Sequence, residues 1–304
     1  MDRLEAMSIL VAAVETGSFS AAARRLGTSL PTVSRKVAEL ETHLNARLLI
    51  RSTRKLTLTD TGQAYLAACR RILEQVGDAE RVASGEYSAP RGDLVVTAPV
   101  VFGRLHVLPV VTAFLAAYPD INIRLSLSDR NAHLIDDHID LAVRIGALPD
   151  SGLVAARVGA VRLVVCGSPD YFASHGAPAT PADLSALSCI SFDGLAPASS
   201  WIFGGPRSGG AAQVPVIPRL SVNTAEAAID AAVAGLGVTR VLSYQAAAPV
   251  ASGALAVVLS EFEPAPMPIH LVHAGQGMAP LKLRAFLDFA APRIRERAAE
   301  IMLR

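Results

Sequence analysis

Apolar positions keep helical spacing over roughly the first 86 residues and then break into short runs separated by helical stretches. Residues 1–16 read as an amphipathic helix. Ser18 is placed to cap a short helix over Phe19–Leu26, Gly27 can take the positive φ of a sharp turn, and Ser29 and Pro31 open a second helix. Val33, Val37, Leu40 and Leu44 then recur at i, i+4, i+7 and i+11, one buried stripe. Apolar and polar residues alternate over Leu48–Thr59, which predicts a two-stranded wing with a basic tip. Residues 60–86 read as one long helix on which Tyr65, Cys69, Ile72, Val76, Ala79 and Ala83 are spaced 4, 3, 4, 3, 4. That 3.5-residue period fits either a helix packed on its own domain or a coiled-coil seam. Residues 87–93 break the periodicity as a linker. Beyond it, strands are expected at 94–97, 121–127, 140–145, 162–166 and 269–273, with helices near 103–117, 224–234 and 281–299, an α/β pattern.

Composition changes this picture mainly through charge. With 51% hydrophobic residues and 18% charged ones, the chain can bury a core, which excludes wholesale disorder. A net charge of +1 taken as a total is unsuited to binding a polyanion, but it is unevenly distributed. Residues 18–58 hold eight basic and two acidic side chains, a local +6, which leaves −5 elsewhere. The three cysteines form no CxxC pair, so no disulfide framework or thiolate zinc site is expected. Cys166 and Cys189 could sense oxidants, but ordinary burial is favoured. The seven histidines show no metal-ligand spacing, GGPRSGG at 204–210 lacks the Lys-Ser/Thr ending of a phosphate loop, and no nucleophile elbow occurs. The longest uncharged stretch, Val241–Ser260, is interrupted by Pro249 and Gly253 and falls short of a membrane span, and the N-terminus has no signal-peptide run. The chain reads as cytoplasmic, with no enzyme activity, cofactor or metal expected.

At 100° per residue, Pro31, Thr32, Ser34 and Arg35 share the half of the second helix opposite the apolar stripe. Short polar and basic side chains at a helix N-terminus suit reading of base edges in a major groove, where an arginine can pair bidentately with guanine. The expected DNA-binding residues are Ser29, Pro31, Thr32, Ser34 and Arg35, with Arg51, Arg54 and Lys55 of the wing reaching phosphates or a minor groove.

GSFSAAARRLGTSLPTVSRKVAELETHLNARLLIRSTRKLTLTDTG (17–62) resembles the N-terminal region of LysR-type transcriptional regulators. Tyr118–Ile123, DLAVRIG (140–146), SPDYFASHG (168–176) and AAVAGLGV (231–238) extend the resemblance over essentially the whole chain. Leu30 departs from the family's usual glutamine, and Arg240 and Val241 stand where a proline is common. The resemblance implies an α/β protein with an all-α winged helix-turn-helix domain (1–59), a dimerising linker helix (60–88) and a two-lobed effector domain like a periplasmic binding protein (89–304). Lobe I would comprise 91–162 and 269–304 and lobe II 163–268, with crossings near Leu163–Cys166 and Pro264–Pro268. The implied function is a DNA-binding transcription regulator modulated by a small molecule held between the lobes. Its partners would be double-stranded promoter DNA, a small effector such as a carboxylate, and further copies of itself in a homodimer or homotetramer. In such a domain ligands lie where strand ends meet helix N-termini. That rule nominates Thr97, Pro99, Ser128 and Arg144 from one lobe and Asn223 and Thr239 from the other.

Overall fold

A computed structural model describes residues 2–51, 56–83, 89–130, 134, 137–192, 200–204, 212–275 and 279–303. The chain folds as two compact units, Met1–Ser88 and Ala89–Arg304.

In the first unit, local capping decides where each helix begins and ends. Asp2 accepts the Leu4 and Glu5 N–H groups at the start of α1 (Arg3–Thr16), and Gly17 at φ 74° ends it. Ser18 accepts the Ala21 N–H and caps α2 (Phe19–Arg25). Gly27, at φ 64°, makes the turn into α3 (Leu30–Leu44). Ala22 and Ala23 are buried and small enough to bring α2 close to its neighbours, and Val33, Val37 and Leu40 complete the core with Ile9 and Leu10. The antiparallel pair β1 (Leu49–Arg51) and β2 (Leu56–Leu58) forms the wing, so the domain is not all-α. The Glu41 carboxylate accepts both the Leu48 and Leu49 N–H groups at 2.8 and 3.1 Å and fixes the wing to α3. Gly62 lies so close to the Leu48 carbonyl that a Cβ would stand 2.0 Å from its oxygen.

The long helix α4 (Asp60–Ala83) splits the expected seam. Leu66 and Cys69 are fully enclosed in the core of their own domain, and Tyr65 packs beside them. Only the later positions remain outward: Ile72 and Ala79 are exposed and Val76 is half-buried.

The second unit holds two five-stranded sheets of matching design. The first has strand order β4-β3-β5-β14-β6 and the second β11-β8-β12-β7-β13. In the first, β3 (Gly92–Ala98), β4 (Ile121–Leu127) and β5 (Leu141–Ile145) run parallel, β14 (Met267–Ala274) lies antiparallel to β5, and β6 (Leu153–Val161) lies antiparallel to β14 and so runs with the first three. In the second, β8 (Cys189–Phe192), β11 (Pro218–Val222) and β12 (Val238–Leu242) run parallel, followed by β7 (Leu163–Gly167) and β13 (Ala256–Val258). The hairpin β9 (Ser200–Phe203) and β10 (Ala212–Pro215) stands apart. Residues 205–211, which include all but the first residue of the glycine-rich stretch, lie outside the described residues. Two boundaries differ from expectation. Gly92 and Asp93 already pair with Ile121 and Asn122, so the strand begins inside the expected linker. The first crossing is Arg162 alone, because Leu163–Cys166 are strand residues paired with β12, and lobe I resumes at Met267, paired with Val161.

A helical run joins α5 (Val100–Phe102), a π-helical turn (Gly103–Val107) and α6 (Leu108–Ala117). It is long and apolar enough to cross a membrane. Here it is a core helix, with Phe102, Val107, Val110 and Phe114 buried and Phe114 packed edge-on against Phe286 of the last helix. Lobe II adds α7 (Pro169–His175), α8 (Ala225–Val233) and α9 (Ser243–Ala251), and α10 (Leu281–Leu303) closes the chain on β6 of lobe I.

Candidate functional site

Two sites emerge, one in each unit. On α3, Pro31 and Arg35 are exposed and Thr32 and Ser34 half-buried, all clear of the Val33–Val37–Leu40 stripe. Ser29 accepts the Thr32 N–H at 3.3 Å, and the two hydroxyls lie 2.8 Å apart, so both help build the cap. The Arg35 guanidinium is held 2.7 Å from the Glu39 carboxylate one turn on. Lys36 points the other way and pairs with Glu5 of α1, so it belongs to the scaffold rather than the outer face. Arg25 likewise pairs with Glu15 at 2.8 Å. The outer face continues from Arg35 and Glu39 through Ala38, Thr42 and His43, which line a shallow depression. Sequence reasoning missed these last three, although their i+3, i+7 and i+8 spacing from Arg35 carried the signal. Arg51 ends β1, with its side chain outside the described residues, as are Arg54 and Lys55.

In the second unit, a cleft of about 280 Å³ opens between the two sheets. Lobe I contributes Thr97, Pro99, Ser128, Asp129, Arg130 and Arg144, four of them expected. The Asp129 carboxylate accepts the Val100 N–H at 3.1 Å, the first N–H of the helical run. Burial raises its pKa against the pull of that bond, and Glu226 adds to the rise. Thr97 donates its hydroxyl to the Ser126 carbonyl at 3.0 Å, and Ser128 accepts the Arg130 N–H. Lobe II contributes Phe192, Leu242, Tyr244 and Gln245.

Asn223 and Thr239 do not line the cleft. Thr239 sits inside β12, three residues short of the strand end, fully buried and donating to the Ile190 carbonyl at 3.1 Å. Asn223 follows β11, the outer strand of its sheet, and faces solvent. The strand-end rule fails for both because it depends on which strand is central and where each one stops.

Behind the cleft, Phe102 and His106 of lobe I meet Tyr244 of lobe II, with ring centroids 4.9 to 5.7 Å apart. Burial, reinforced by the nearby Arg297 charge, pushes the His106 pKa down to about 4, so its ring is neutral here. Burial pushes the Tyr244 hydroxyl far up, with the Asp129 carboxylate adding to it. The Cys166 and Cys189 thiols are raised by burial to about 12 and about 11, so both stay protonated at neutral pH and are poor nucleophiles. Arg240 is buried on β12, with its guanidinium 5.3 Å from the Trp201 ring and donating to the Ile202 carbonyl at 3.0 Å. Among the described residues, no group of three or more His, Cys, Asp or Glu side chains could hold a metal ion.

Residues 4–63 match the bacterial regulatory helix-turn-helix protein, lysR family, and residues 88–295 match the LysR substrate binding domain. The chain belongs to the LysR family. It is 37% identical over 288 residues to an HTH-type transcriptional regulator of Xanthomonas campestris, covering 94% of this chain and 84% of that one. It is 33% identical over 298 residues to an HTH-type transcriptional repressor of Pseudomonas aeruginosa, covering 95% and 91%. The structure of CrgA, a LysR-type regulator from Neisseria meningitidis, superposes with a TM-score of 0.60 at 30% identity and covers 95% of this chain and 98% of CrgA. This LysR-type protein is therefore a transcription regulator, not an enzyme, with a helix-turn-helix DNA-binding region and an effector-modulated substrate-binding domain.

Proposed function

We propose that α3 enters a major groove with Ser29, Pro31, Thr32, Ser34 and Arg35 toward the bases, and that Arg51, Arg54 and Lys55 of the wing touch phosphates. On this reading residues 1–59 read DNA, 60–88 link and dimerise, and 89–304 bind the effector. Ile72, Val76 and Ala79 on the later half of α4 supply the dimer contact, and pairing sets two recognition helices on half-sites one or more helical turns apart. The regulator works in the cytoplasm on promoter DNA. Its effector is a small acid whose carboxylate lies against lobe I, among Thr97, Ser128 and Arg144, and whose apolar part meets Phe192 and Tyr244.

The observation that carries this reading is the convergence on one cleft of Arg130, Arg144 and the Thr97 and Ser128 hydroxyls, with the Asp129 carboxylate among them engaged by the Val100 N–H. A cleft of that size lies just below the usual range for small-molecule sites and suits a compact ligand. The test is binding of the full chain to the DNA upstream of its own gene, with and without a panel of short-chain and aromatic carboxylates. A site preference that an acid shifts supports the reading, and silence across the panel in calorimetry removes the carboxylate. Arg35→Ala should cost about 1–3 kcal/mol of discrimination between the site and unrelated DNA while weak binding persists.

A further inference from the structure

The chain passes between the lobes twice, at Arg162 and again over residues 259–266. Each passage carries a charged side chain that meets the other. Arg162 donates from Nε to Glu263 Oε2 at 2.9 Å and from Nη2 to Oε1 at 3.0 Å, a fork-to-fork pair between residues 101 positions apart. The Glu263 side chain is only 14% exposed and that of Arg162 31%, so water screens the pair less than one on an open surface. Such a bidentate grip fixes both distance and angle, which a lysine or a single hydrogen bond would not.

Arg162 has a second connection through its main chain. Its carbonyl accepts the Ser243 N–H at 2.9 Å. Ser243 begins α9, and Leu242, Tyr244 and Gln245 beside it form much of the lobe II wall of the cleft. On the far side of Glu263, the Phe262 carbonyl accepts the Gly204 N–H at 3.0 Å and ties the same crossing to the β9–β10 hairpin. One residue thus bonds to the other crossing with its side chain and to the cleft wall with its backbone.

We propose that Arg162 and Glu263 form a clasp across the two crossings that sets how far α9 can swing relative to lobe I, which makes Arg162 a positioning residue for the cleft. Lobe motions are absorbed by a few residues at such passages, and a bond that joins both passages limits the angles open to them. When the clasp holds, the Ser243 amide stays bonded and Tyr244 remains against Phe102 and His106. When it opens, the wall and the two crossings move independently. The proposal rests on the reading of this cleft as the effector site, but its test needs no effector.

That test is hydrogen exchange read by mass spectrometry on the full-length chain and on Arg162→Gln, Glu263→Gln and the double variant. Glu263→Gln keeps the shape of the side chain and removes its charge, and Arg162→Gln keeps the start of the stem and a polar end while removing the guanidinium, which guards against gross unfolding. Each single variant should speed exchange in peptides covering 242–246 by at least about threefold, and the double variant should add nothing further. Amides of α1–α3 should be unaffected. Unchanged exchange at 242–246 would overturn the clasp, as would additive effects of the two substitutions. Acceleration spread evenly over the strands of lobe II would also overturn it, because that marks lost stability rather than a released wall. Should the clasp behave as expected while no acid binds the cleft, the effector reading fails and the clasp stands.

Discussion

The two lobes share one strand plan, three parallel strands followed by one antiparallel strand and a fifth that runs with the first three, yet they bring different chemistry to the cleft between them. Lobe I supplies Thr97, Ser128, Asp129 and Arg144, the hydroxyls and charges. Lobe II supplies Phe192, Leu242 and Tyr244, with Gln245 as its polar member, and Gln245 already accepts the Leu242 N–H at 2.8 Å. The polar residues of lobe II are turned inward instead: Thr239 bonds Ile190, and Arg240 stacks on Trp201. A shared topology therefore does not imply a symmetric site. On the proposed reading, lobe I recognises the polar head of the effector and lobe II covers the apolar body attached to it.

The largest expected effect tests how rigidly each lobe is packed. A Cβ on Gly237 would stand 2.1 Å from the Ser188 carbonyl oxygen, an obstacle of backbone where β12 begins. On Gly159 of lobe I it would meet the Ala298 methyl at 2.4 Å, which α10 can relieve by shifting. Gly237→Ala should cost more than about 3 kcal/mol and Gly159→Ala about 1–3 kcal/mol in denaturant unfolding. Equal costs would show that lobe II yields as readily as lobe I.

Next comes the seam where Phe102 and His106 meet Tyr244. The His106 pKa is depressed to about 4 from an ordinary value near 6.5. Between those values the unfolded chain binds the proton and the folded chain does not, so stability is intact above about pH 6.5 and falls as pH drops toward 4. Discounted for partial exposure, the loss should reach about 2 kcal/mol, and His106→Phe should flatten this part of a stability-against-pH curve.

Smaller effects divide the cleft itself. Arg144→Gln should raise the half-saturating concentration of a bound acid at least about tenfold in calorimetry, because it removes a charged donor from the polar side. Thr239→Val should leave that concentration within about twofold and cost only about 1 kcal/mol of stability, the worth of one buried hydrogen bond. If Thr239→Val weakened binding as much as Arg144→Gln, the division of labour between the lobes would be wrong.

Helix α3 was legible because its signals are local: a cap at Ser29, a glycine turn at Gly27 and a stripe of period 3.6 all act within one or two turns of chain. The polar side of the cleft was partly legible, since Thr97 and Ser128 end adjacent parallel strands whose apolar pattern is plain. The covering side was not. Thr239 faces inward because β12 pairs it with Cys166 and Ile190, a register that no local pattern reveals and that a shift of one residue would reverse. The helix that carries Tyr244 and Gln245 escaped notice because SYQAAAPVA has no charged residue and holds Pro249, so it shows neither an amphipathic stripe nor an uninterrupted helical composition. The stripe on α4 was legible but what it faces was not, since a 3.5-residue period cannot say which helix it packs on, and Leu66 and Cys69 face their own domain. Arg162 gave no local sign, because its partner lies 101 residues away.

The placement of β14 between β5 and β6 also bears on how the protein is made. As the chain leaves the ribosome, β6 emerges with no neighbour to pair with, and its partner comes only after every strand of the second sheet has been synthesised. Lobe II is one continuous stretch and can close by itself, whereas lobe I must wait with an open edge until Met267–Ala274 slides into the gap. The lobe with the polar half of the cleft is thus the last to be completed, and a chain cut short before β14 would lack a finished site whatever the state of lobe II.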